Sequence, residues 1–224
     1  MIDFRHIKGD QAVVDYIVNR LSERLNSGQR LLWLVAGGSA MVIAAKAAKD
    51  LGGRTDLNRL SISLTDERYG PIGHADSNWR QLAQKGFSLP GAQLVPVLTG
   101  QSPADTAQNF ANNLNQALED HDFSLALAGM GPDGHIFGIK PSSPAVNSDK
   151  SVVAYDWEDY HRITPTIKLI QRLDEVVMYA VGKEKQTQID KLDMKLDANE
   201  QPAQLLKRLK KVVFFNDYKG GRSG

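Results

Sequence analysis

Asp133 and His135 are a pair with the types and spacing for proton transfer. They stand two residues apart in Leu125 to Ile139, which reads Leu-Ala-Leu-Ala-Gly-Met-Gly-Pro-Asp-Gly-His-Ile-Phe-Gly-Ile. The stretch opens as an apolar run with the length of a buried strand. It then breaks into Gly129, Gly131, Pro132 and Gly134, a turn-rich segment. In an open α/β sheet, ligands bind beyond the carboxyl ends of the strands, so titratable side chains just past a buried strand stand where chemistry is placed. Taken alone, a tight turn with a solvated Asp and His would read the same way. The other polar clusters of the chain decide between the two.

Four such clusters follow a strand or precede a helix. Ala36-Gly37-Gly38-Ser39-Ala40 joins an apolar run, Arg30 to Ala36, to a helix expected over Met41 to Leu51. Strand, glycine pair, Ser and helix is the geometry of an anion site: the glycines admit a close ligand, and the helix start offers free N–H groups and partial positive charge. Ser39 is the expected N-cap, with Gly52 and Gly53 closing the helix. The run is neither a Walker A loop nor a full dinucleotide fingerprint. Next, Leu60 to Leu64 leads into Thr65-Asp66-Glu67-Arg68-Tyr69 and a polar loop that carries His74, Asp76, Ser77 and Asn78. Arg68 stands out, because a guanidinium can hold a carboxylate, a phosphate or a developing oxyanion with two bonds. Arg162, in Tyr160-His161-Arg162-Ile163-Thr164, and Lys185, in Gly182-Lys183-Glu184-Lys185, complete the set. Lysines at a helix start are electrostatically unfavourable, and a bound anion would explain them.

The elements that must position these residues alternate between strand and helix. Asp10 is placed to cap a helix with the stripe Val14, Ile17, Val18, Leu21 and Leu25. Gln93 to Leu98 reads as a short strand. Ser102, Pro103 and Asp105 mark a helix start whose core stripe is Ala107, Phe110, Ala111, Leu114 and Leu118. Lys140 to Asp149 is a Pro/Ser-rich loop, and Ser151 to Tyr155 a strand. A helix is expected from about Pro165 to Leu173 and a strand from Val176 to Val181. A helix then runs through Ile189, Leu192 and Leu196, a last helix covers Gln204 to Leu209, and a last strand Lys211 to Phe215. Tyr218 to Gly224 reads as frayed. The alternation argues for a mainly parallel sheet covered on both faces, in a single α/β domain over residues 1–224. Right-handed crossovers then bring the strand-end loops to one side, so one pocket accounts for all five clusters. Its cations, helix N-terminus, imidazole and carboxylates suit a phosphorylated small molecule and acid–base chemistry.

Composition narrows the function classes. The 224 residues are 42% hydrophobic and 24% charged, and the formal net charge is +1. That is enough apolar material for a proper core, and it gives no global electrostatic reason to expect nucleic acid or an anionic membrane as partner. The chain has no cysteine, which excludes disulfides, thiolate metal sites and a cysteine nucleophile. No signal-type apolar segment stands at the start, and no apolar run approaches bilayer length. A cytoplasmic protein is expected, as a monomer or small homo-oligomer.

Together the motifs resemble the 6-phosphogluconolactonase family, part of the wider group that contains glucosamine-6-phosphate deaminase and isomerase. The resemblance rests on Gly-Gly-Ser at 37–39, Asp-Glu-Arg at 66–68 with Asp-Ser-Asn at 76–78, and Gly-Met-Gly-Pro-Asp-Gly-His at 129–135. Arg-Ile-Thr at 162–164 and Gly-x-x-Lys at 182–185 extend it, all in family order. It implies a Rossmann-like α/β fold and hydrolysis of 6-phospho-D-glucono-1,5-lactone to 6-phosphogluconate, a step of the oxidative pentose phosphate pathway. By that analogy His135 is the general base, Asp133 orients it, and Arg68 stabilises charge on the carbonyl oxygen or fixes the sugar acid. Gly38, Ser39, Arg162 and Lys185 hold the phosphate, Asn78 shapes the pocket, and Gly37 and Asp66 are further substrate-binding residues. No metal or organic cofactor is implied. Two segments depart from the family. Ala40 and Met41 replace Thr-Pro, and Ile136-Phe-Gly-Ile-Lys-Pro141 replaces Thr-Ala-Ser-Leu-Phe-Pro. Gly-His-Ile also occurs in the amino-sugar deaminases, but their later Asn-Glu-Pro is absent here. A deaminase or isomerase, or a non-catalytic sugar-phosphate-binding protein, is the alternative.

Overall fold

Short runs of Leu, Val, Ile, Ala and Phe, each followed by a turn and an amphipathic segment, build the protein around one parallel sheet. The computed structural model describes residues 1–158 and 160–222. In chain order the elements are β1 (Ile2–His6), α1 (Gln11–Asn26), β2 (Leu31–Val35), α2 (Ala40–Leu51), β3 (Leu60–Leu64), β4 (Glu67–Arg68) and α3 (Asn78–Gln84). There follow β5 (Gln93–Leu94), α4 (Pro103–Asp120), β6 (Phe123–Gly129), β7 (Val152–Asp156), β8 (His161–Pro165) and α5 (Ile167–Ile170). The chain ends with β9 (Glu175–Ala180), α6 (Lys183–Lys191), β10 (Val212–Asn216) and β11 (Gly221–Arg222).

The main sheet has eight strands in the order β11-β1-β10-β9-β6-β2-β3-β5. Every pairing in it is parallel. β2, β3, β9 and β10 are buried along their whole length, as expected of strands covered on both faces. Ser61 and Ser63, which suggested a wetter face for β3, are buried too. Ser63 Oγ donates to the Val95 carbonyl at 2.8 Å, and Ser61 Oγ pairs with His121 Nε2 at 2.8 Å. The α1 stripe Val13, Val14, Ile17, Leu21 and Leu25 is fully buried, each side chain contributing about 1.5–3 kcal/mol.

Several boundaries differ from the sequence reading, for local reasons. Ile2–His6 is a strand beside β10, and Gly221–Arg222 pairs with its other edge, so the tail is ordered through residue 222 rather than frayed from Tyr218. Tyr218 Oη donates to Asp190 at 3.0 Å. Ser223 and Gly224 lie outside the described residues. His161–Pro165 is a strand, and the helix expected from Pro165 shrinks to Ile167–Ile170, because a second, three-stranded antiparallel sheet of order β4-β8-β7 claims the segment. α6 stops at Lys191, and the last helix is a 3-10 turn over Pro202–Arg208. Asp10 does not cap α1 through its side chain. Its carboxylate accepts from Tyr179 Oη at 2.7 Å and Lys46 Nζ at 3.1 Å.

Candidate active site

Four neighbouring strands, β9, β6, β2 and β3, end on the same side of the sheet, and their carboxyl-terminal loops enclose an open cavity of about 280 Å³. After β2 the chain turns through Gly37 and Gly38 into α2. A Cβ on Gly37 would lie 2.4 Å from Asn78 Oδ1, so only glycine lets the loop after β2 close on α3. Gly38 holds φ +68°, the left-handed region. A helix start leaves N–H groups without helical partners, and Gly37, Gly38 and Ser39, which lead into α2, line the cavity. Ser39 has helical backbone angles and makes no side-chain cap bond, contrary to the expected N-cap role; its residue lines the cavity.

The end of β3 supplies the opposite wall. Glu67 is fully buried and accepts four bonds, from Arg68 N (2.7 Å), Asn78 N (2.6 Å), Ser77 Oγ (2.9 Å) and Trp79 N (3.3 Å). It therefore pins the start of α3. Burial pushes its carboxyl above the usual range, and those donors offset only part of the shift. Asn78 Nδ2 donates to the Asp66 carbonyl at 2.9 Å, while Asn78 Oδ1 is buried without a hydrogen-bond partner. Arg68 and Arg162 are direct partners in the antiparallel β4–β8 pair, so Arg162 is presented by a strand and not, as the sequence suggested, by the approach to a helix. Both guanidinium groups lie over the Tyr160 ring, at 4.4 and 5.6 Å. Arg162 Nη1 is 3.9 Å from Asp66 Oδ2. Like charges opposite each other in a sheet are destabilising, and an anion seated between them would offset that repulsion.

The turn after β6 carries the titratable pair. Gly131 N donates to the His135 carbonyl at 2.9 Å and Gly134 N to the Gly131 carbonyl at 3.0 Å, which closes a tight loop. Asp133 Oδ1 lies 2.5 Å from His135 Nδ1 and 3.2 Å from the His135 backbone N. Burial acts to raise the Asp133 pKa. The His135 hydrogen bonds and the charges of His135 and Lys140 outweigh it, and the carboxyl is held well below its usual range. An ionised Asp133 makes Nδ1 the protonated ring nitrogen and leaves Nε2 as the acceptor. Among the described residues Nε2 has no partner, and His135 lines the cavity. Asp133 itself stands behind the ring and does not line the cavity, unlike every other predicted site residue.

Lys185, on the first turn of α6, reaches the cavity with its side chain 14% exposed, and Glu184 is 3.9 Å away. The cavity thus gathers Gly37, Gly38, Ser39, Asp66, Arg68, Asn78, His135, Arg162 and Lys185. Sequence reasoning missed Lys140, whose Nζ is 3.2 Å from Asp133 Oδ2, and the turn that returns it there through Phe137 (φ +53°) and Gly138 (φ +75°). The signal was present: a Lys seven residues past Asp133 in a Gly-containing segment. Four cations then face the cavity with one carboxylate at its wall and one behind the imidazole. Such a site favours a multiply charged anion beside a proton acceptor. Among the described residues no cluster of His, Asp or Glu is arranged to hold a metal ion, and no helix is long and apolar enough to cross a membrane.

Comparison with known proteins agrees with this architecture. The family model described as glucosamine-6-phosphate isomerases/6-phosphogluconolactonase matches residues 9–214. A human 6-phosphogluconolactonase is 25% identical over 202 residues, covering 84% of this chain and 78% of that protein. The Thermotoga maritima 6-phosphogluconolactonase is 27% identical over 210 residues, covering 91% of each. Among solved structures, a 6-phosphogluconolactonase from Shewanella baltica superposes with a TM-score of 0.82 at 19% identity, over 96% of this chain and 98% of that one. The fold is therefore shared over 96% of this chain.

Proposed function

The chain belongs to the glucosamine-6-phosphate isomerase/6-phosphogluconolactonase family, and within it we propose that the protein hydrolyses 6-phospho-D-glucono-1,5-lactone to 6-phosphogluconate. The observation that carries this reading is His135 in the lining of a cation-rich cavity, its Nδ1 held by Asp133 at 2.5 Å and its Nε2 without a hydrogen-bond partner among the described residues. Hydrolysis of a lactone needs one proton removed from water and one returned to the ring oxygen. A single imidazole with its tautomer fixed does both.

In this mechanism the phosphate sits against Gly38, Ser39 and the first turn of α2, with Lys185 and Arg162 supplying counter-charge. Gly37, Asp66 and Asn78 shape the adjoining wall. The lactone carbonyl then faces His135. Nε2 takes a proton from water as the water oxygen bonds to the carbonyl carbon. Negative charge moves to the carbonyl oxygen, where Arg68 stabilises it, and Asp133 stabilises the imidazolium. On collapse the bond from carbon to ring oxygen breaks, His135 returns its proton to that oxygen, and the new carboxylic acid releases its remaining proton to solvent to give the carboxylate. We place this chemistry in the oxidative pentose phosphate pathway, in the cytoplasm.

The test is hydrolysis of freshly generated lactone, corrected for its spontaneous opening, by wild type and His135→Ala. A wild-type excess that drops at least a hundredfold in the variant supports the assignment and the base. No excess over the spontaneous rate overturns it, and turnover of glucosamine 6-phosphate instead would favour the deaminase branch of the family.

A further inference from the structure

The Asp133 carboxylate is shared between two cations-in-waiting. Oδ1 faces His135 Nδ1, and Oδ2 faces Lys140 Nζ at 3.2 Å. The Lys140 side chain is only 13% exposed, and Asp133 is its ion-pair partner. The backbone is built to bring it there. Ile139 N bonds the Ile136 carbonyl at 2.7 Å, Lys140 N donates to Tyr155 Oη at 3.3 Å, and the Tyr155 hydroxyl donates to the Gly138 carbonyl. Phe137 takes a left-handed conformation unusual for a bulky side chain, and Gly138 follows in the same region. A strained, anchored turn that returns a lysine to the carboxylate behind a proposed base is poorly explained by solubility.

We propose that Lys140 is a positioning residue for His135 that acts through Asp133: it fixes the carboxylate and offsets its charge, so that the imidazole stays neutral, and able to accept a proton, to lower pH. The idea rests on the lactonase reading of this site. A carboxylate bonded only to an imidazole favours the imidazolium, and an ammonium on its other oxygen opposes that bias at short range. The other charged groups around His135 are Lys185 from α6, Arg68 and Arg162 from the small sheet and Asp66 from the end of β3. All of them remain in a Lys140 variant, so the difference isolates Lys140.

The experiment compares wild type, Lys140→Met and Lys140→Arg. It measures kcat/KM for lactone hydrolysis from pH 5.5 to 8 and the titration of the His135 ring by NMR in the same proteins. In Lys140→Met the acid limb should move about half to one pH unit upward, a loss of roughly three- to tenfold at pH 6 that shrinks on the alkaline side. The ring titration should move with it. Lys140→Arg keeps the charge and should keep both near wild type, which separates the effect from misfolding. An unmoved limb and an unmoved ring titration in Lys140→Met overturn the proposal. A raised KM with the limb in place also overturns it and makes Lys140 a substrate ligand. If wild type does not turn over lactone, the lactonase reading fails, and the NMR titration still decides the positioning claim on its own.

Discussion

Gly131 and His135 compete for one space: a Cβ on Gly131 would stand 2.0 Å from His135 Nδ1 and 2.5 Å from Asp133 Oδ1. The imidazole occupies the space that a side chain at residue 131 would fill, and that close approach lets the ring meet Asp133. Gly131→Ala must displace the ring or the carboxylate. We expect kcat to fall at least about a hundredfold with KM changed little, since a misplacement near 1 Å at a reacting group costs that much. Steady-state kinetics on fresh lactone checks it. Wild-type kcat in this variant would show that the ring position is unimportant.

A second glycine guards the opposite wall. Gly138 holds φ +75°, and a Cβ there would approach Asp66 Oδ2 to 2.6 Å. Gly53 has a similar φ of +81° with nothing within 4 Å of the added atom. Gly53→Ala therefore carries only the left-handed backbone cost of about 1–2 kcal/mol. Gly138→Ala adds a clash with a buried carboxylate. Thermal unfolding should show Tm lowered by about 3–6 °C for Gly53→Ala and clearly more for Gly138→Ala. Equal shifts would mean that Asp66 moves aside freely.

Lys185 tests the anion site without disturbing the fold. Its nearest carboxylate is Glu184 at 3.9 Å, a loose pair that contributes little to stability. Lys185→Ala should keep the wild-type Tm and weaken 6-phosphogluconate binding by roughly 10- to 100-fold, or about 1.4–2.8 kcal/mol. Lys183→Ala, two residues earlier on α6 and outside the cavity lining, should bind within about twofold of wild type. Calorimetric titration with 6-phosphogluconate distinguishes them.

The clustering of the candidate site's residues was largely legible because strand-end loops carry their polar groups in contiguous residues. Gly37 to Ser39, Asp66 to Arg68 and Asp133 to His135 each declare themselves within a few positions, and the parallel sheet gathers them. What stayed hidden depends on register. Nothing local says that Arg162 will pair with Arg68 across an antiparallel ladder over the Tyr160 ring; Pro165 and Thr166 imitate a helix start and masked the strand. β1 was hidden because Ile2–His6 alternates weakly and is only partly buried, so its strand character comes from β10 beside it. Lys140 was hidden because its contact with Asp133 depends on a turn through two left-handed residues, Phe137 and Gly138.

Glu175 predicts how stability responds to acid. It begins β9, at the end of the strand remote from the cavity, with its side chain 1% exposed. The carboxylate accepts from Tyr16 Oη, from Arg20 Nη2 at 2.8 Å and Nε at 3.1 Å, and from Lys211 Nζ at 3.0 Å. Burial acts to raise its pKa, but these donors win, and the folded value lies below the ordinary 4.5. A carboxyl with a depressed folded pKa stabilises the fold fully above its unfolded pKa, and that contribution is lost as pH falls from about 4.5 through the folded value. Glu175→Gln removes the anion and leaves Arg20 and Lys211 facing a neutral amide. Breaking a buried pair costs about 3–5 kcal/mol, and because Arg20 and Lys211 keep partial access to water about 2–3 kcal/mol is expected here. Urea unfolding should show that loss at pH 7, and the gap between wild type and variant should narrow as pH drops from 5 toward 3. Turnover of lactone at 25 °C should stay within about twofold of wild type, because five strand residues at about 3.3 Å each separate Glu175 from the cavity end of β9. A gap that stays constant across that pH range would mean that the ionised carboxylate is not what holds this corner together.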